Sequence, residues 1–569
     1  MNWRAGAIGW WALLLQVAFS QSCAGGGGGA SVGADARGPN DVGGSDVPLP
    51  SDVEMADRLD VPAPSDVGVV DVSDVPLPSD GVVSDVPLPS DVEGTDLPLP
   101  SDIEVSDEPG LSDIEVSDVP LPSDVEVSDG SDGSDGADAI LQQPPPACGM
   151  APYEWLPATK TGKLLWWEEN PTYHLPPALI EMLVQDAGYA LKLPLTYTPR
   201  VFLIRYSTQD RGVERQASAM VGLPEIIVSD EGQKPFATAL FLHGTAGYAD
   251  KCAPSKSLEG GAAAILPASA GYIAVAPDYL GLCGTPDSCG QAFHPYLIGE
   301  ATAIASLDAA RAAFELVDLL SAENGAVPDG RIVPWGGSQG GHAALFVQRY
   351  APLYAPEFEV PCVISMIPPA NLLEQASKAF SNLGSAAELG TAFLAAAFLW
   401  YEPDAAASSV FNAEGPEDYS VHIPVTFVQT CNAGQLLKGA QSIEDVFAPE
   451  FLEAVQAGGL AAIEPWGCIA KENSLPTSSA PVVPSGQVLF IIGEKDELVD
   501  HTVERTTFQT LCGMGYEMEF VECQGLTHFE TALQTINLQL EWVESCLSGQ
   551  GISPEALCQL KDPQSCSLD

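Results

Sequence analysis

From residue 237 onward, short apolar runs alternate with longer helical stretches, and this alternation restricts the fold more than any other feature. The apolar runs are Ala237–Leu242, Tyr272–Ala276, Arg331–Trp335, Cys362–Ile367, Gln487–Ile492 and Glu517–Glu522. The helical stretches lie at approximately 297–323, 340–352, 502–514 and 529–546. Near-continuous apolar strands separated by helices indicate a mostly parallel sheet that is covered by helices on both faces. The sequence therefore predicts an α/β fold.

Two further segments complete the predicted domain, which we assign to residues 148–569. The apolar stretches 201–206 and 217–223, with a polar turn between them, predict an antiparallel strand pair ahead of the parallel strands. The interval of approximately 370–480 is rich in alanine, reads as helical, and is too long for a simple connection. We interpret it as an inserted helical cap.

The region before this domain has a different composition. Residues 24–147 contain 28 acidic and two basic residues, no aromatic residue and no cysteine. The unit Ser-Asp-Val-Pro-Leu-Pro-Ser-Asp begins at residues 45, 73, 84 and 117. Proline stiffens such a chain and like charges extend it, so we predict a disordered acidic stalk over 23–147. The net charge of −55 for the whole chain argues against a nucleic-acid partner and against attraction to anionic membranes.

The first residues predict export. Arg4 and the apolar stretch 7–19 are typical of a signal peptide, which we assign to 1–22. The segment 20–23 resembles a bacterial lipoprotein signal with Cys23 as the lipidated residue, although Ser20 stands where an aliphatic residue is usual. This interpretation predicts an outer-membrane lipoprotein at the cell surface, attached to the membrane through Cys23. Cleavage after Ser20, followed by free secretion, is the alternative.

The cysteine count agrees with export. Of 13 cysteines, 12 lie from Cys148 onward, which permits up to six disulfides in an oxidising compartment, including a local pair between Cys283 and Cys289. No cysteine or histidine cluster has the spacing of a zinc site, so we predict no metal. A cysteine-containing tail occupies 547–569.

The candidate nucleophile is Ser338. The segment Gly336-Gly337-Ser338-Gln339-Gly340 follows a predicted strand and precedes a predicted helix, which is the Gly-x-Ser-x-Gly nucleophile elbow in its expected context. Glycines beside the serine are needed because the strand-to-helix turn is tight.

The serine requires a base and an acid. His528 follows the last predicted strand, where a triad histidine belongs in the order serine, acid, histidine. Asp496 follows the strand 487–492 at the expected offset, and Asp500 and Glu494 are the alternatives. His342 and His243 fit structural roles better.

Two backbone amides are required for the oxyanion hole. The residue after the nucleophile, Gln339, supplies one. The loop after the strand 237–242 supplies the other, from Thr245 or, as the alternative, Gly244.

Several segments resemble the secretory lipase family of the α/β-hydrolase fold. They are His243-Gly244-Thr245 with Cys252-Ala253-Pro254-Ser255, Ala276-Pro277-Asp278-Tyr279-Leu280-Gly281, His294-Pro295-Tyr296-Leu297, and Gly337-Ser338-Gln339-Gly340-Gly341-His342. The resemblance covers approximately 150–546. It implies a carboxylic ester hydrolase that acts on a small-molecule ester or lipid through Ser338, Asp496 and His528, with a helical cap and no cofactor. We expect a monomer. The alternatives are a peptidase or acyltransferase with the same triad, and an inactive surface-display protein.

Overall fold

The computed structural model describes Cys148 and residues 150–227, 232–291, 293–402, 404–483 and 485–567. The predicted signal peptide (1–22), the predicted stalk (23–147) and the predicted lipidation site Cys23 lie outside the described residues. None of the helices within these ranges combines the length and the hydropathy of a bilayer-spanning segment.

Nine strands in the described ranges form one sheet in the order β1-β2-β3-β5-β4-β6-β7-β8-β9. Their bounds are β1 Leu164–Glu169, β2 Pro199–Asp210, β3 Val213–Pro224, β4 Lys234–Leu242, β5 Ile273–Pro277, β6 Ala326–Gly337, β7 Cys362–Met366, β8 Gln487–Gly493 and β9 Glu517–Cys523. The neighbouring strands β1, β2, β3 and β5 pair antiparallel. The remaining neighbours in the sheet, from the pair β5–β4 through the pair β8–β9, are all parallel. The mostly parallel sheet and the antiparallel pair β2–β3 match the sequence prediction.

Helices flank the sheet. Their bounds are α1 Pro177–Asp186, α2 Leu258–Ala270, α3 Gly299–Leu319, α4 Gln339–Tyr354, α5 Leu372–Ala379, α6 Ser385–Tyr401, α7 Tyr419–Phe427, α8 Ile443–Val446, α9 Pro449–Gly458, α10 Trp466–Glu472, α11 His501–Gly513, α12 His528–Gln534 and α13 Ile536–Leu547. Helices α5 to α10 follow one another between β7 and β8, in the interval that we interpret as the cap.

The structure corrects the sequence prediction at several elements. The single helix predicted at 529–546 is two helices, because the chain turns at Thr535 between α12 and α13. Strand β6 begins at Ala326, five positions before its predicted start at Arg331. Strand β1 and helices α1 and α2 have no counterpart among the predicted elements.

Six disulfides join the twelve described cysteines. They are Cys148–Cys468, Cys252–Cys431, Cys283–Cys289, Cys362–Cys546, Cys512–Cys558 and Cys523–Cys566. The first connects the start of the described domain to the cap, and the last two attach the C-terminal tail to α11 and β9. Three of the six disulfides therefore attach the two ends of the described domain to the rest of it.

The parallel strands place their carboxyl ends at one edge of the sheet, where ligand sites of open α/β sheets lie. Each of β4, β6, β8 and β9 is followed there by a loop that carries a predicted site residue. Strand β8, which precedes one of these loops, is buried, since its residues 488–492 are at most 2% exposed.

Candidate active site

Ser338 occupies a sharp turn between β6 and α4. Its backbone has φ 56° and ψ −120°, a region that residues with a side chain rarely adopt. The turn is held by neighbouring backbone, because the Ser338 amide donates to the carbonyl of Met366 at 2.9 Å. A Cβ at Gly340 would lie 1.9 Å from the Leu242 carbonyl oxygen, and one at Gly336 would lie 2.3 Å from the Gly340 carbonyl oxygen. Only glycine therefore fits at these two positions.

Asp496 and His528 form a buried pair beside this turn. Asp496 follows β8 and His528 begins α12, and His528 Nδ1 lies 2.7 Å from Asp496 Oδ2. The side chain of His528 is 1% exposed and that of Asp496 is 2% exposed. The other oxygen of Asp496 accepts from the amides of Leu498 and Val499 at 2.9 and 2.8 Å. Because Asp496 accepts the Nδ1 proton, the histidine is held in the tautomer whose Nε2 can take a proton.

The alternative acids have other contacts. Asp500 caps α11, where its Oδ1 accepts from the amides of Thr502 and Val503. Glu494 accepts from the amide of Gly525 at 2.7 Å. Asp496 is therefore the carboxylate of this loop that contacts the His528 ring.

One small cavity connects the pair to the serine. Ser338, His528, Gly244 and Thr245 line it, together with Leu389, Leu498 and Phe529. The structure thus brings together residues from the ends of β4, β6, β8 and β9 that are far apart in sequence. Both candidate loop residues for the oxyanion hole, Thr245 and Gly244, border this cavity.

Gln339, the other oxyanion candidate, is the first residue of α4 and is buried. Its side-chain Nε2 donates to Nε2 of His294 at 2.6 Å, and His294 Nδ1 donates to the carbonyl of Leu280 at 2.9 Å. Burial lowers the pKa of His294 to about 3, so the ring stays neutral and can accept this bond. The side chain of Gln339 therefore binds within the protein. Its backbone amide belongs to the first residue after Ser338, which is the position predicted for an oxyanion donor.

The other candidate histidines have structural contacts. His342 Nε2 donates to the carbonyl of Asn473 at 2.8 Å, and burial lowers its pKa to about 4. The ring of His243 stacks on Tyr279 with centroids 4.0 Å apart, and both of its nitrogens face backbone carbonyls. These contacts agree with the structural roles that the sequence suggests.

Asp278 directly follows β5 and binds residues of two neighbouring segments. Its carboxylate accepts from the hydroxyls of Ser218 and Ser255 at 2.6 and 2.5 Å and from the Ser255 amide at 2.8 Å. Burial raises its pKa to about 6. Neither Ser218 nor Ser255 lines the cavity at Ser338.

A second, apolar cavity extends from Ser338 under the cap helices. Sequence reasoning did not identify its lining, which includes Leu372, Ala376, Phe380, Leu389, Phe393 and Leu460. Leu372, Ala376 and Phe380 are spaced four residues apart, which puts them on one face of a helix. That spacing is the signal that could have marked this wall in the sequence.

In the part of the chain that the structure describes, no group of three or more His, Cys, Asp or Glu side chains is arranged to hold a metal ion.

The comparisons with known proteins agree with the fold and the motifs. The model of the family described as secretory lipase matches residues 262–390, from within α2 through Ser338 to α6. This match confirms the resemblance that the motifs predict. No match was found among curated proteins.

Solved structures share the fold at low sequence identity. A rice cell wall degrading esterase, LipA from Xanthomonas oryzae, is 20% identical, with a TM-score of 0.55 over 69% of this chain and 100% of that chain. A putative hydrolase from Legionella pneumophila is 18% identical, with a TM-score of 0.55 over 69% and 100%. Candida antarctica lipase A, in its closed state, is 16% identical, with a TM-score of 0.51 over 72% and 88%. These similarities confirm the predicted fold class.

Proposed function

We propose that this relative of the secretory lipases is an exported serine hydrolase that cleaves carboxylic esters through Ser338, His528 and Asp496. The family match and the fold support an ester hydrolase. The observation that carries the catalytic assignment is the buried Asp496–His528 contact of 2.7 Å beside a strained serine that shares a cavity with the histidine.

In the first half of the reaction, the Ser338 hydroxyl attacks the ester carbonyl carbon. His528 Nε2 takes the hydroxyl proton as the C–O bond forms, and Asp496 stabilises the resulting imidazolium. The carbonyl oxygen becomes an oxyanion, which the backbone amides of Gln339 and Thr245 stabilise. The imidazolium then gives its proton to the departing alcohol, which leaves an acyl group on Ser338.

In the second half, water repeats the attack on the acyl-enzyme. His528 takes a proton from the water, a second oxyanion forms and collapses, and the acid leaves as Ser338 regains its proton. Both halves need an imidazole whose Nδ1 proton is held by Asp496, which is why the acid and base must stay buried and aligned.

The substrate that fits best is a neutral ester with an apolar acyl group, such as a lipid or acylglycerol ester. The cavity under the cap begins at Ser338 and is lined mainly by aliphatic and aromatic side chains, so it offers an acyl chain an apolar environment. The 49 acidic and 19 basic residues from 148 onward disfavour anionic substrates.

We place the protein outside the cytoplasm. Six disulfides are typical of proteins from an oxidising compartment, and the family match is to secretory enzymes. Attachment to the outer membrane through a lipidated Cys23 is the finer proposal. Mass spectrometry of the mature N-terminus tests it: a diacylated Cys23 supports a lipoprotein, whereas an unmodified start at Gln21 indicates free secretion.

The activity is tested with p-nitrophenyl esters from two to sixteen acyl carbons, with a p-nitroanilide as the amide control. The matched variant is Ser338→Ala. We expect ester turnover by the wild type that the variant reduces by about 10⁴-fold or more. Equal turnover by the two proteins would contradict the assignment of Ser338, and preferential turnover of the anilide would favour a peptidase.

A further inference from the structure

A buried carboxyl group lies behind the loop that carries Asp496. Glu504 belongs to the first turn of α11, and none of its surface is exposed. Burial raises the pKa of Glu504 to about 8, and the nearby charge of Asp496 adds to the rise. The backbone amides of Ala370 and Asn371 act in the opposite direction, but Glu504 Oε2 has no well-aligned hydrogen-bond partner among the described residues.

Gln375 on α5 joins this carboxyl group to the loop. Its Nε2 donates to Glu504 Oε1 at 2.9 Å and to the carbonyl of Asp500 at 3.2 Å. Its Oε1 accepts from the Asp500 amide at 3.0 Å. Both polar atoms of the Gln375 amide are therefore used, and the hydrogen bonds of this side chain all go to Asp500 or to Glu504 on α11. We call Gln375 and Glu504 the clamp.

The clamp touches two parts of the proposed site. On one side, the loop that it holds contains Asp496, whose oxygens bind His528 and the amides of the same loop. On the other side, Gln375 lines the apolar cavity at Ser338, next to Leu498 and Val499 of the loop. Gln375 therefore contacts the acid loop and forms part of the wall of the acyl cavity.

The charged groups around the clamp do not neutralise Glu504. Lys378 on α5 lies 3.5 Å from Asp500, and Arg505 and His501 on α11 both contact Glu522. None of the ion pairs found in the described ranges includes Glu504. An uncharged carboxyl group in this position lacks one hydrogen bond, whereas a carboxylate would leave a full charge buried without a cation.

We propose that Glu504 and Gln375 are positioning residues: Glu504 accepts a hydrogen bond from Gln375, and Gln375 holds the Asp496 loop against the first cap helix. The inference rests on the proposed function, because the loop matters through its effect on His528. Deprotonation strengthens the hydrogen bond from Gln375 but leaves a buried charge without a cation, which favours conformations that expose Glu504 to water. The proposal therefore predicts that the clamp opens and that ester hydrolysis falls at alkaline pH.

The test compares kcat/KM for p-nitrophenyl butyrate between pH 6 and pH 10 in the wild type, Glu504→Gln and Glu374→Gln, after subtraction of spontaneous hydrolysis. Glutamine matches the shape of the uncharged acid and does not titrate. Glu374 is an exposed acid on the same helix as Gln375, which makes it the matched control. With a pKa near 8, the wild type should lose about tenfold in kcat/KM between pH 7 and pH 9.

We expect Glu504→Gln to lose less than twofold over the same interval and Glu374→Gln to follow the wild type. A loss in Glu504→Gln equal to that of the wild type would overturn the proposal. If Glu504→Gln does not fold, Gln375→Met replaces it. In this variant Glu504 no longer reaches the loop through residue 375, so kcat/KM should be lower than that of the wild type at pH 7 and should fall less than twofold between pH 7 and pH 9; a tenfold fall would overturn the proposal.

A second readout separates this inference from the proposed function. The melting temperature of the wild type should fall between pH 5 and pH 8 by more than that of Glu504→Gln, whether or not any ester is hydrolysed. Absence of esterase activity in the wild type would therefore reject the function alone. Equal pH dependence of the two melting temperatures would reject the clamp alone.

Discussion

Replacing Asp496 with asparagine should disable His528 without disturbing the loop. In the wild type, Asp496 Oδ1 accepts from two backbone amides and Oδ2 accepts from His528. The two amides can only donate, so an asparagine must turn its carbonyl oxygen toward Leu498 and Val499 and its NH₂ group toward the imidazole. His528 Nδ1 then becomes an acceptor, and the proton moves to Nε2, where it blocks removal of the Ser338 proton.

The expected loss is large because the wrong tautomer removes the base altogether. For a triad acid replaced by asparagine, kcat falls by about 10⁴, which corresponds to about 5.5 kcal/mol in activation free energy. The assay is kcat on p-nitrophenyl butyrate, with the melting temperature measured in parallel. We expect the melting temperature to change by only a few degrees, because the two amide bonds of the loop are preserved.

Asp500→Asn is the matched control. Asp500 lies on the same loop, but its side chain caps α11, a role that asparagine also performs well. This variant should keep kcat within about threefold of the wild type. If Asp496→Asn retained more than a tenth of the activity while Asp500→Asn lost it, the acid of the triad would be Asp500 and the orientation argument would be wrong.

Three further predictions concern the turn, the cavity and a buried acid. Gly340→Ala should destabilise the fold by about 3 kcal/mol or more in urea unfolding, since the added Cβ meets the Leu242 carbonyl oxygen, and a loss below about 1 kcal/mol would contradict the tight turn. Leu389→Trp, at a residue that lines both cavities, should lower kcat/KM for an octanoate ester by about tenfold more than for an acetate ester, and an equal loss would show that the acyl chain does not enter here. Burial raises the pKa of Glu300 from 4.5 to about 7, so the folded state retains a proton that the unfolded state releases. Its contribution to stability is therefore present below pH 4.5 and is lost as pH rises to about 7, by about 1.4 kcal/mol per pH unit, so the free energy of unfolding in urea should fall less over this range in Glu300→Gln than in the wild type.

The elements with a strong local signal could be predicted from the sequence. Strands β4 to β9 are short apolar runs, and the turn at Ser338 needs glycines that the motif displays. Helix α2 could not be predicted in this way, because Gly260, Gly261 and Pro267 all disfavour a helix. Its glycines are needed for close packing: a Cβ at Gly261 would lie 2.6 Å from the Tyr173 ring. Tertiary contact overrides local propensity at this helix.

The break at Thr535 also depends on distant residues. Gln539 on α13 donates to the Ala532 carbonyl and to the Thr535 hydroxyl, and its Oε1 accepts from Trp335 on β6 at 2.8 Å. The continuous helical pattern over 529–546 contains no sign of this network.

The candidate site likewise contains residues that a local sequence signal predicts and residues that depend on distant contacts. Ser338, Asp496 and His528 follow strands in a known order, so their positions can be read from spacing. The clamp could not be predicted, because Gln375 and Glu504 belong to different helices, α5 and α11, and neither lies in a motif. Their proposed role rests on burial and on hydrogen bonds that exist only in the folded chain.

The most direct test of the central claim is the site of covalent labelling by a fluorophosphonate. Such a probe phosphonylates a serine only where a base and an oxyanion hole activate it. After digestion, mass spectrometry should find the adduct on the peptide that contains Ser338, and Ser338→Ala and Asp496→Asn should both greatly reduce labelling. An adduct on another serine, or a wild type that is not labelled, would contradict the proposed mechanism.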